Sequence, residues 1–178
     1  MHIPEQFDLG DLRLRRPRHG DAEAIFEYGS DPEVARYADW PVQTSIESIV
    51  ALLEERAVRW QSGTEYSWVI TESADNRAIG GITCRVDGVE AEIGYLLNRK
   101  FWGRGYATRV CKALVLWLES DSAIKKLWAT CDTENIASIR VLEKSRFSRE
   151  KLLEKHVARP NIGGGPRDAY LYSKVIRP

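Results

Sequence analysis

Apolar residues recur along the chain with two different spacings, and the change between them separates predicted strands from predicted helices. Alternation of apolar and polar residues is typical of a half-buried strand, whereas recurrence at every third or fourth residue is typical of a helix. The predicted strands span residues 12–16, 66–71, 78–85, 90–97, 126–132, about 148–156 and about 168–176. The predicted helices begin at Asp21 and at Thr44, and span residues 105–119 and 136–144.

Capping and turn residues support these boundaries. Asp21 is a plausible N-cap, and residues 44–47 (Thr-Ser-Ile-Glu) have the form of a capping box. Turn sequences at residues 75–76 (Asp-Asn) and 87–88 (Asp-Gly) join three consecutive strands, which predicts an antiparallel meander. The order of elements therefore predicts a mixed α/β domain whose sheet is too antiparallel for a doubly wound fold.

The composition is that of an ordinary folded domain, and it argues against several classes of protein. Neither a repeat nor a linker divides the 178 residues, so a single domain over residues 1–178 is predicted. Lys plus Arg and Asp plus Glu number 26 each, so charge indicates neither a nucleic-acid nor a membrane partner. The three histidines lack metal-ligand spacing, and no metal site is predicted. No apolar run resembles a signal peptide or a membrane span, and Cys84, Cys111 and Cys131 are predicted to be buried, reduced thiols of a cytoplasmic protein.

The most informative segment joins a predicted strand to an amphipathic helix through two glycines, Gly103 and Gly105. Glycines spaced by one residue let the backbone curl until successive N–H groups point into one concavity. The helix start adds its own unpaired N–H groups and the positive end of its dipole. The segment is therefore predicted to bind an anion such as a diphosphate.

Basic side chains surround this turn, and the first turn of the helix contains no acidic residue. The cations are Arg99, Lys100, Arg104 and Arg109. Unpaired cations at the positive end of a helix dipole are unfavourable unless an anion lies among them, which favours a bound anion. The alternative is a plain glycine turn with solvated basic side chains.

Two other glycine motifs do not fit. A P-loop ends in Gly-Lys-Ser/Thr, which is absent both here and after residues 163–165 (Gly-Gly-Gly). A dinucleotide fingerprint has a third Gly or Ala where Thr108 stands, and it opens a parallel βαβ unit. This turn instead follows a predicted antiparallel meander.

Taken together, these segments resemble the GNAT superfamily of N-acetyltransferases and, within it, the RimJ/RimL-like branch. The resemblance covers nearly the whole chain in the expected order. Residues 102–107 (Trp-Gly-Arg-Gly-Tyr-Ala) resemble the pyrophosphate loop of that branch, residues 92–97 its central strand, residues 134–144 its second cofactor motif, residues 12–15 followed by Asp21 its opening, and residues 168–173 its last strand.

The resemblance implies a mixed, mostly antiparallel sheet flanked by helices, splayed open between its fourth and fifth main strands to admit acetyl-CoA. In such a fold the backbone at Leu97 would bind the pantetheine arm, and residues 103–108 would hold the pyrophosphate. The cofactor contacts that it implies are Leu97, Trp102, Gly103, Arg104, Gly105, Tyr106, Ala107, Thr108, Asn135 and Ser138. Asn135 also precedes an apolar helical run, where an Asn is typical of an N-cap.

Three positions depart from the family pattern. Many relatives carry Glu where this chain has Arg109, which would contact cofactor phosphate or reach solvent. Relatives usually have Gly where this chain has Arg146, which predicts a less tight turn. Many members place a tyrosine acid where this chain has Leu142, so the proton for the departing thiolate would come from Ser138, from water or from the ammonium.

Amide formation from a thioester requires alignment of the amine, removal of its proton and stabilisation of an oxyanion. Glu92, on the predicted central strand, is the candidate general base, acting through water; relatives often carry Glu at that position. Glu90 lies on the same face by alternation but nearer a turn, so it ranks lower. The alternative is that Glu92 only pairs with a neighbouring Arg.

The predicted reaction moves acetyl from acetyl-CoA to a primary amine by direct attack. The acceptor is a protein N-terminus, for instance of a ribosomal protein, or a small amine. Trp40 would line the acceptor pocket or belong to the core, and the loop 157–167 would cover the acceptor or serve only as a flexible connection. An α-amine has a pKa near 8, so a larger fraction of it is neutral at pH 7 than of a lysine side chain, and it depends less on a general base. The rivals are a CoA-binding sensor without catalysis and an enzyme that binds NAD. The chain is predicted to be a monomer or a homodimer.

Overall fold

Between residues 3 and 176, eight strands form one sheet, which helices cover on both faces. The structure is a computed structural model and describes residues 3–176. The strands are β1 (Gln6–Asp8), β2 (Leu12–Arg15), β3 (Glu65–Glu72), β4 (Ala78–Asp87), β5 (Glu90–Leu97), β6 (Lys126–Asp132), β7 (Ser148–Ala158) and β8 (Pro166–Val175). The α-helices are α1 (Ala22–Gly29), α2 (Pro32–Ala35), α3 (Ile46–Ser62), α4 (Tyr106–Glu119) and α5 (Ile136–Lys144), with short 3-10 turns at His19–Asp21 and Arg99–Phe101.

The strand order in the sheet is β1-β2-β3-β4-β5-β6-β8-β7. Every pair is antiparallel except β5 with β6, which is parallel. The predicted mixed, mostly antiparallel α/β fold is therefore confirmed, as are its seven strands and four helices. The strand β1 and the single-turn helix α2 were not predicted, because three or four residues are too few to show a periodicity.

The parallel pair β5–β6 is joined only at its beginning. Three positions pair, Glu90 with Lys126, Ala91 with Leu127 and Glu92 with Trp128, and the last five residues of β5 have no partner on β6. The strands thus separate toward their carboxyl ends, where α4 and α5 begin. This gap lies at the predicted position, because the predicted fourth and fifth strands are β5 and β6.

Two apolar clusters lie on opposite faces of the sheet. The larger one joins β5 residues such as Ile93 to Val110 and Leu114 of α4 and to Leu142 of α5. The smaller one joins α1, α2 and α3, represented by Ile49, to the other face. The amphipathic pattern of α4 predicted this burial, and the three cysteines are buried and unpaired. Between residues 3 and 176, no helix is both long and apolar enough to cross a membrane.

Two predicted helix caps differ from the structure in their hydrogen bonds or position. Asp21 stands at the N-cap position of α1 as predicted, but its carboxylate caps no amide of α1 and instead accepts hydrogen bonds from Arg15 at 2.7 and 2.8 Å and from the Arg18 amide at 2.7 Å. The N-cap of α3 is Ser45 rather than Thr44, and its hydroxyl accepts from the Ser48 amide at 3.3 Å. The predicted capping box therefore does not form, although the helix begins where it was expected.

The turn after α5 is tighter than predicted. Arg146 adopts φ +65°, the left-handed conformation that glycine usually supplies. The Phe147 amide donates to Leu142 O at 3.1 Å and the Arg146 amide to Glu143 O at 3.0 Å, which together form a Schellman motif. The prediction of a less tight turn was wrong, because the Arg146 backbone adopts the strained left-handed conformation and both hydrogen bonds of the motif form.

We expect Arg146→Gly to raise the free energy of unfolding by about 1 kcal/mol, because a left-handed conformation is strained for every residue with a Cβ. The Arg146 side chain is exposed, so little contact is lost. Thermal unfolding would show an increase in Tm of roughly 2–4 °C. Arg146→Ala is the matched control and should change Tm little, since it removes the side chain but keeps the Cβ; an equal rise in both variants would contradict this explanation.

Candidate active site

The glycine turn between β5 and α4 has the curled backbone that its sequence predicted. Gly103 and Gly105 adopt φ +77° and +76°, and Gly105 is the N-cap of α4. A Cβ placed on either glycine would meet no atom within 4 Å. The glycines therefore serve the backbone conformation, and the space outside the turn is open to a ligand.

The amides of this turn remain available as donors. Among residues 3–176, no protein acceptor receives a hydrogen bond from the amide of any residue between 103 and 108. The flanking amides differ, since Trp102 N donates to Arg99 O at 3.1 Å and Arg109 N to Gly105 O at 3.0 Å. Six successive free N–H groups at a helix start form an anion site of the kind that binds phosphates.

The basic side chains around the turn are not unpaired, which corrects part of the sequence argument. Lys100 contacts Glu27 at 2.6 Å, Arg99 contacts Asp31 at 3.0 Å and Arg104 approaches Glu72 at 3.8 Å. The hydrogen bonds from Lys100 and from Arg77 lower the pKa of Glu27 to about 2.

Arg109 was predicted to contact cofactor phosphate or to reach solvent, but its side chain is paired within the protein. Its guanidinium pairs with Asp11 and donates to Leu9 O at 2.7 Å, which ties α4 to the β1–β2 turn. These acids come from distant parts of the chain, so no local pattern indicates the pairing. The case for an anion at the turn therefore rests on the free amides.

The remaining predicted cofactor residues of this segment surround the turn. The Trp102 indole is half exposed and donates to Leu97 O at 2.7 Å, so this carbonyl already has one partner. Tyr106 donates to Glu72 at 3.0 Å and stacks against Phe101. Ala107 and Thr108 are partly exposed on the first turn of α4.

A hydroxyl pair lies where β5 and β6 separate. The Tyr95 hydroxyl of β5 is 2.8 Å from the Ser138 hydroxyl of α5, and it donates to Ser138 O at 3.2 Å. Burial raises the pKa of Tyr95, so its proton is retained. Asn135 caps α5 as predicted, with its side chain accepting from the Ser138 amide at 3.1 Å. Leu142 is buried in the apolar cluster and is not exposed to the gap as a proton donor would be.

Glu92 lies on the face of the sheet opposite α4. It is directly across from Arg85 on β4 and accepts a hydrogen bond from it at 3.2 Å. Arg85 also donates to the buried Glu65 at 2.6 Å, and Glu65 contacts Arg59 of α3 at 3.1 Å. The pairing with Arg that the sequence analysis named as an alternative is therefore present. It does not exclude a role as base, because a quarter of the Glu92 side chain is exposed.

Two loops meet at the carboxyl end of β6 and enclose it from the α1–α3 side. Asn161 lies between β7 and β8, and its side-chain amide holds the other loop. The Asn161 Nδ2 group donates to Ala35 O at 2.7 Å and to Trp40 O at 2.9 Å, and Asn161 Oδ1 accepts from Val42 N at 2.9 Å. Tyr37 donates to Glu134 O at 3.3 Å. The segment near Trp40 and the loop 157–167, which were predicted to border an acceptor, thus contact each other.

Comparison with known proteins establishes the family. The sequence matches the model of the acetyltransferase (GNAT) domain over residues 11–148. The chain therefore belongs to the GNAT acetyltransferases, as its resemblance predicted. YoaA of Bacillus subtilis, an uncharacterised N-acetyltransferase, is 31% identical over 170 residues, which cover 94% of each chain.

Solved structures agree on the fold. A GNAT acetyltransferase from Bacillus anthracis superimposes with a TM-score of 0.83 at 25% identity, covering 96% of this chain and 98% of that one. RimL, the ribosomal L7/L12 α-N-protein acetyltransferase in complex with coenzyme A, superimposes with a TM-score of 0.83 at 21% identity, covering 93% and 94%.

Three residues near the gap were not found by sequence reasoning. Tyr95 follows the apolar alternation of β5 and resembles an ordinary buried residue. Asn161 and Arg159 lie in the glycine-rich loop 157–167, which was predicted either to cover the acceptor or to be a flexible connection, but the sequence singles out neither residue within it. Their roles depend on contacts with segments more than a hundred residues away or across the sheet, which no local spacing reveals.

Proposed function

We propose that the protein transfers an acetyl group from acetyl-CoA to a primary amine by direct attack. The observation that carries this proposal is the run of six free amides from residue 103 to residue 108, beside the gap between β5 and β6. The amides suit a diphosphate, and the gap suits the extended arm that a CoA thioester carries. RimL, which shares the fold, was solved with coenzyme A bound.

The cofactor would lie on the face of α4 and α5, and the amine would approach from the face of α3. Gly103, Arg104, Gly105, Tyr106, Ala107 and Thr108 would hold the diphosphate through their amides, with Trp102, Leu97, Asn135 and Ser138 along the arm. Glu92 would accept the amine proton through water, since its carboxylate lies on the α3 face at the last paired position before the strands separate.

The departing thiolate needs a proton, and the hydroxyl pair can supply it. As the C–N bond forms and the C–S bond breaks, the Ser138 hydroxyl would donate its proton to sulfur. The single hydroxyl hydrogen of Tyr95 would turn from Ser138 O to Ser138 Oγ and stabilise that oxygen through the 2.8 Å hydrogen bond until a proton returns from solvent. Ser138, one helical turn before Leu142, would thus act as the proton donor that many superfamily members supply with a tyrosine at the position of Leu142.

The acceptor is a protein N-terminus, as for RimL, the ribosomal L7/L12 α-N-protein acetyltransferase, or a small amine. The loops that meet at Asn161 leave the amine-binding side bordered by Tyr37, Trp40 and residues 159–163. A cytoplasmic location and a monomeric or homodimeric state remain predictions.

We expect Glu92→Gln to lower kcat by roughly 100- to 10,000-fold while leaving the Kd of CoA within about threefold, because the glutamine side chain retains the shape of glutamate but accepts no proton. The loss should be larger near pH 7, where an α-amine with a pKa near 8 is mostly protonated, than above about pH 9, where the amine is mostly neutral. Release of the CoA thiol in steady state measures kcat, and calorimetry measures the Kd. Glu90→Gln is the matched control, because Glu90 is exposed on the same strand, two residues earlier.

An unchanged rate for Glu92→Gln would remove Glu92 from the mechanism. Equal losses in both Gln variants would indicate a general effect of charge on this strand. Binding of CoA without thiol release on any amine would favour the sensor alternative. Thermal stabilisation by NAD at least as large as that by CoA would favour a nucleotide-binding enzyme.

A further inference from the structure

Arg159, in the loop between β7 and β8, is buried without the partners that a guanidinium requires. Only 8% of it is exposed, and its fully buried Nε has no hydrogen-bond partner. Among residues 3–176, no protein group accepts a hydrogen bond from any of its nitrogens; the nearest carboxylate oxygen, of Asp132, is 4.0 Å from Nε. Buried charges are normally paired and hydrogen-bonded, since removing them from water is costly.

Asp132 does not complete this arrangement, because its carboxylate is held by other donors and lies beyond hydrogen-bond distance of Arg159. Arg167 donates to both of them, at 2.8 and 3.3 Å, and the Glu134 amide donates at 3.0 Å. Burial opposes ionisation of Asp132, but these hydrogen bonds outweigh it and lower the pKa of the carboxyl. Desolvation lowers the pKa of Arg159, which its attraction to Asp132 and Asp39 only partly offsets. Arg159 is therefore a second cation beside an acid that already has one.

The position of Arg159 relates it to the amine-binding side. Its loop is held by Asn161 against the segment that follows α2, on the face of the sheet opposite α4. Asp132, its neighbour, ends β6 at the mouth of the gap, three residues before the α5 cap Asn135. The acceptor would pass this point to reach the thioester.

We propose that Arg159 binds a carboxylate on the acceptor, so that the enzyme selects amines that carry a nearby carboxylate. The planar guanidinium presents two parallel N–H groups that match a carboxylate. The charged groups that face this position are Arg167, Asp39, Asp132 and Glu134; Arg167 is already paired with Asp132 and with Glu134 at 2.8 Å. This inference rests on the proposed function and adds the chemical class of its acceptor.

Two sources of the carboxylate are compatible with the site, and matched acceptor pairs distinguish them. Alanine against alaninamide tests an α-carboxylate on a small amine. A peptide beginning Asp-Ala against one beginning Asn-Ala tests a side-chain carboxylate at a protein N-terminus. We expect wild-type protein to prefer the carboxylate in one of these pairs by at least 10-fold in kcat/KM, because a site built for a polar group rejects the analogue that lacks it.

Arg159→Met should reduce that preference to below threefold, and Arg159→Lys should keep part of it, since Lys retains the charge but not the planar fork. Arg13→Met is the control, because Arg13 lies on β2 near the far edge of the sheet and should leave the ratio unchanged. We also expect Arg159→Met not to lower the Tm of the unliganded protein, as it removes a buried charge without a hydrogen-bonded partner. Three results would each overturn the proposal. The wild type could show no preference for the carboxylate in either acceptor pair, the preference could survive in Arg159→Met, or Arg159→Met could lower the Tm while leaving the kcat/KM ratio unchanged.

A binding measurement separates this inference from the proposed function. N-acetylalanine and N-acetylaspartate, each against its amide, are titrated into the CoA-loaded protein by calorimetry, which requires no turnover. The inference is supported if the wild type binds the acid more tightly than the amide and Arg159→Met does not. If that result is obtained but thiol release is never observed, the inference holds and only the proposed reaction fails. Equal binding of acid and amide in wild type contradicts the inference, whether or not the enzyme turns over.

Discussion

We expect Gly105→Glu to weaken CoA binding at least 100-fold. The substitution places a carboxylate in the open space beside six amides that would hold a diphosphate. Two like charges about 4 Å apart near a protein surface, here the new carboxylate and the diphosphate, repel by roughly 4 kcal/mol, which alone corresponds to about 1000-fold in Kd. The new side chain can also fold back and occupy the amides itself, as an acidic residue at a helix start commonly does. Calorimetric titration with CoA measures the effect.

Gly88→Glu is the matched control for this variant. Gly88 has a positive φ of +57° and no atom within 4 Å of an added Cβ, so the backbone strain is of the same kind. It lies at the opposite end of β5, an eight-residue strand of about 25 Å. Loss of CoA binding in both variants would indicate general damage to the fold, and micromolar affinity in Gly105→Glu would argue against the proposed position of the diphosphate.

The second large effect concerns Gly80 on β4, which we expect to tolerate no side chain. A Cβ at this position would lie 2.5 Å from Leu96 O and 3.1 Å from Leu97 Cα, both backbone atoms of β5. These atoms cannot move without displacing the end of the strand that leads into the glycine turn. We therefore expect Gly80→Ala to lower the free energy of unfolding by about 3 kcal/mol, toward the upper end for overpacking, and to weaken CoA binding as well. Chemical denaturation and calorimetry measure the two effects.

The neighbouring glycine provides the control. A Cβ on Gly81 would lie 3.6 Å from Trp68 O, which is an ordinary contact. Gly81→Ala should therefore change the free energy of unfolding by less than about 1 kcal/mol, since both alanines have the same propensity for a strand. If the two variants were equally stable, steric contact with β5 would not be the reason for glycine at position 80.

The sequence predicted those parts of the fold that a local pattern encodes. The periodicities of β5, β6, α4 and α5 are long enough to determine element type, and their predicted bounds agree with the structure to within one residue. The errors occurred where a competing contact decides the outcome. Asp21 stands at the N-cap of α1 as predicted, but its carboxylate caps no amide of α1, because the buried guanidinium of Arg15 binds it instead.

The same distinction applies to the candidate site. The glycine turn is a local feature, and its backbone conformation followed from two glycines before an amphipathic helix. The ion pairs of its basic side chains could not be predicted from the local sequence. Their acidic partners, Glu27, Asp31 and Asp11, come from distant segments. The hydroxyl pair of Tyr95 and Ser138 likewise requires β5 and α5 to be brought together by the fold.

The central claim is that the amides of residues 103–108 bind the diphosphate of CoA, and nuclear magnetic resonance tests it most directly. A ¹⁵N-labelled sample is titrated with CoA and, separately, with pantetheine, which lacks the diphosphate. We predict that CoA shifts the amide resonances of residues 103–108 and slows their hydrogen exchange, whereas pantetheine leaves them nearly unchanged. Saturating CoA that leaves these six amides unshifted and exchanging as before would contradict the account.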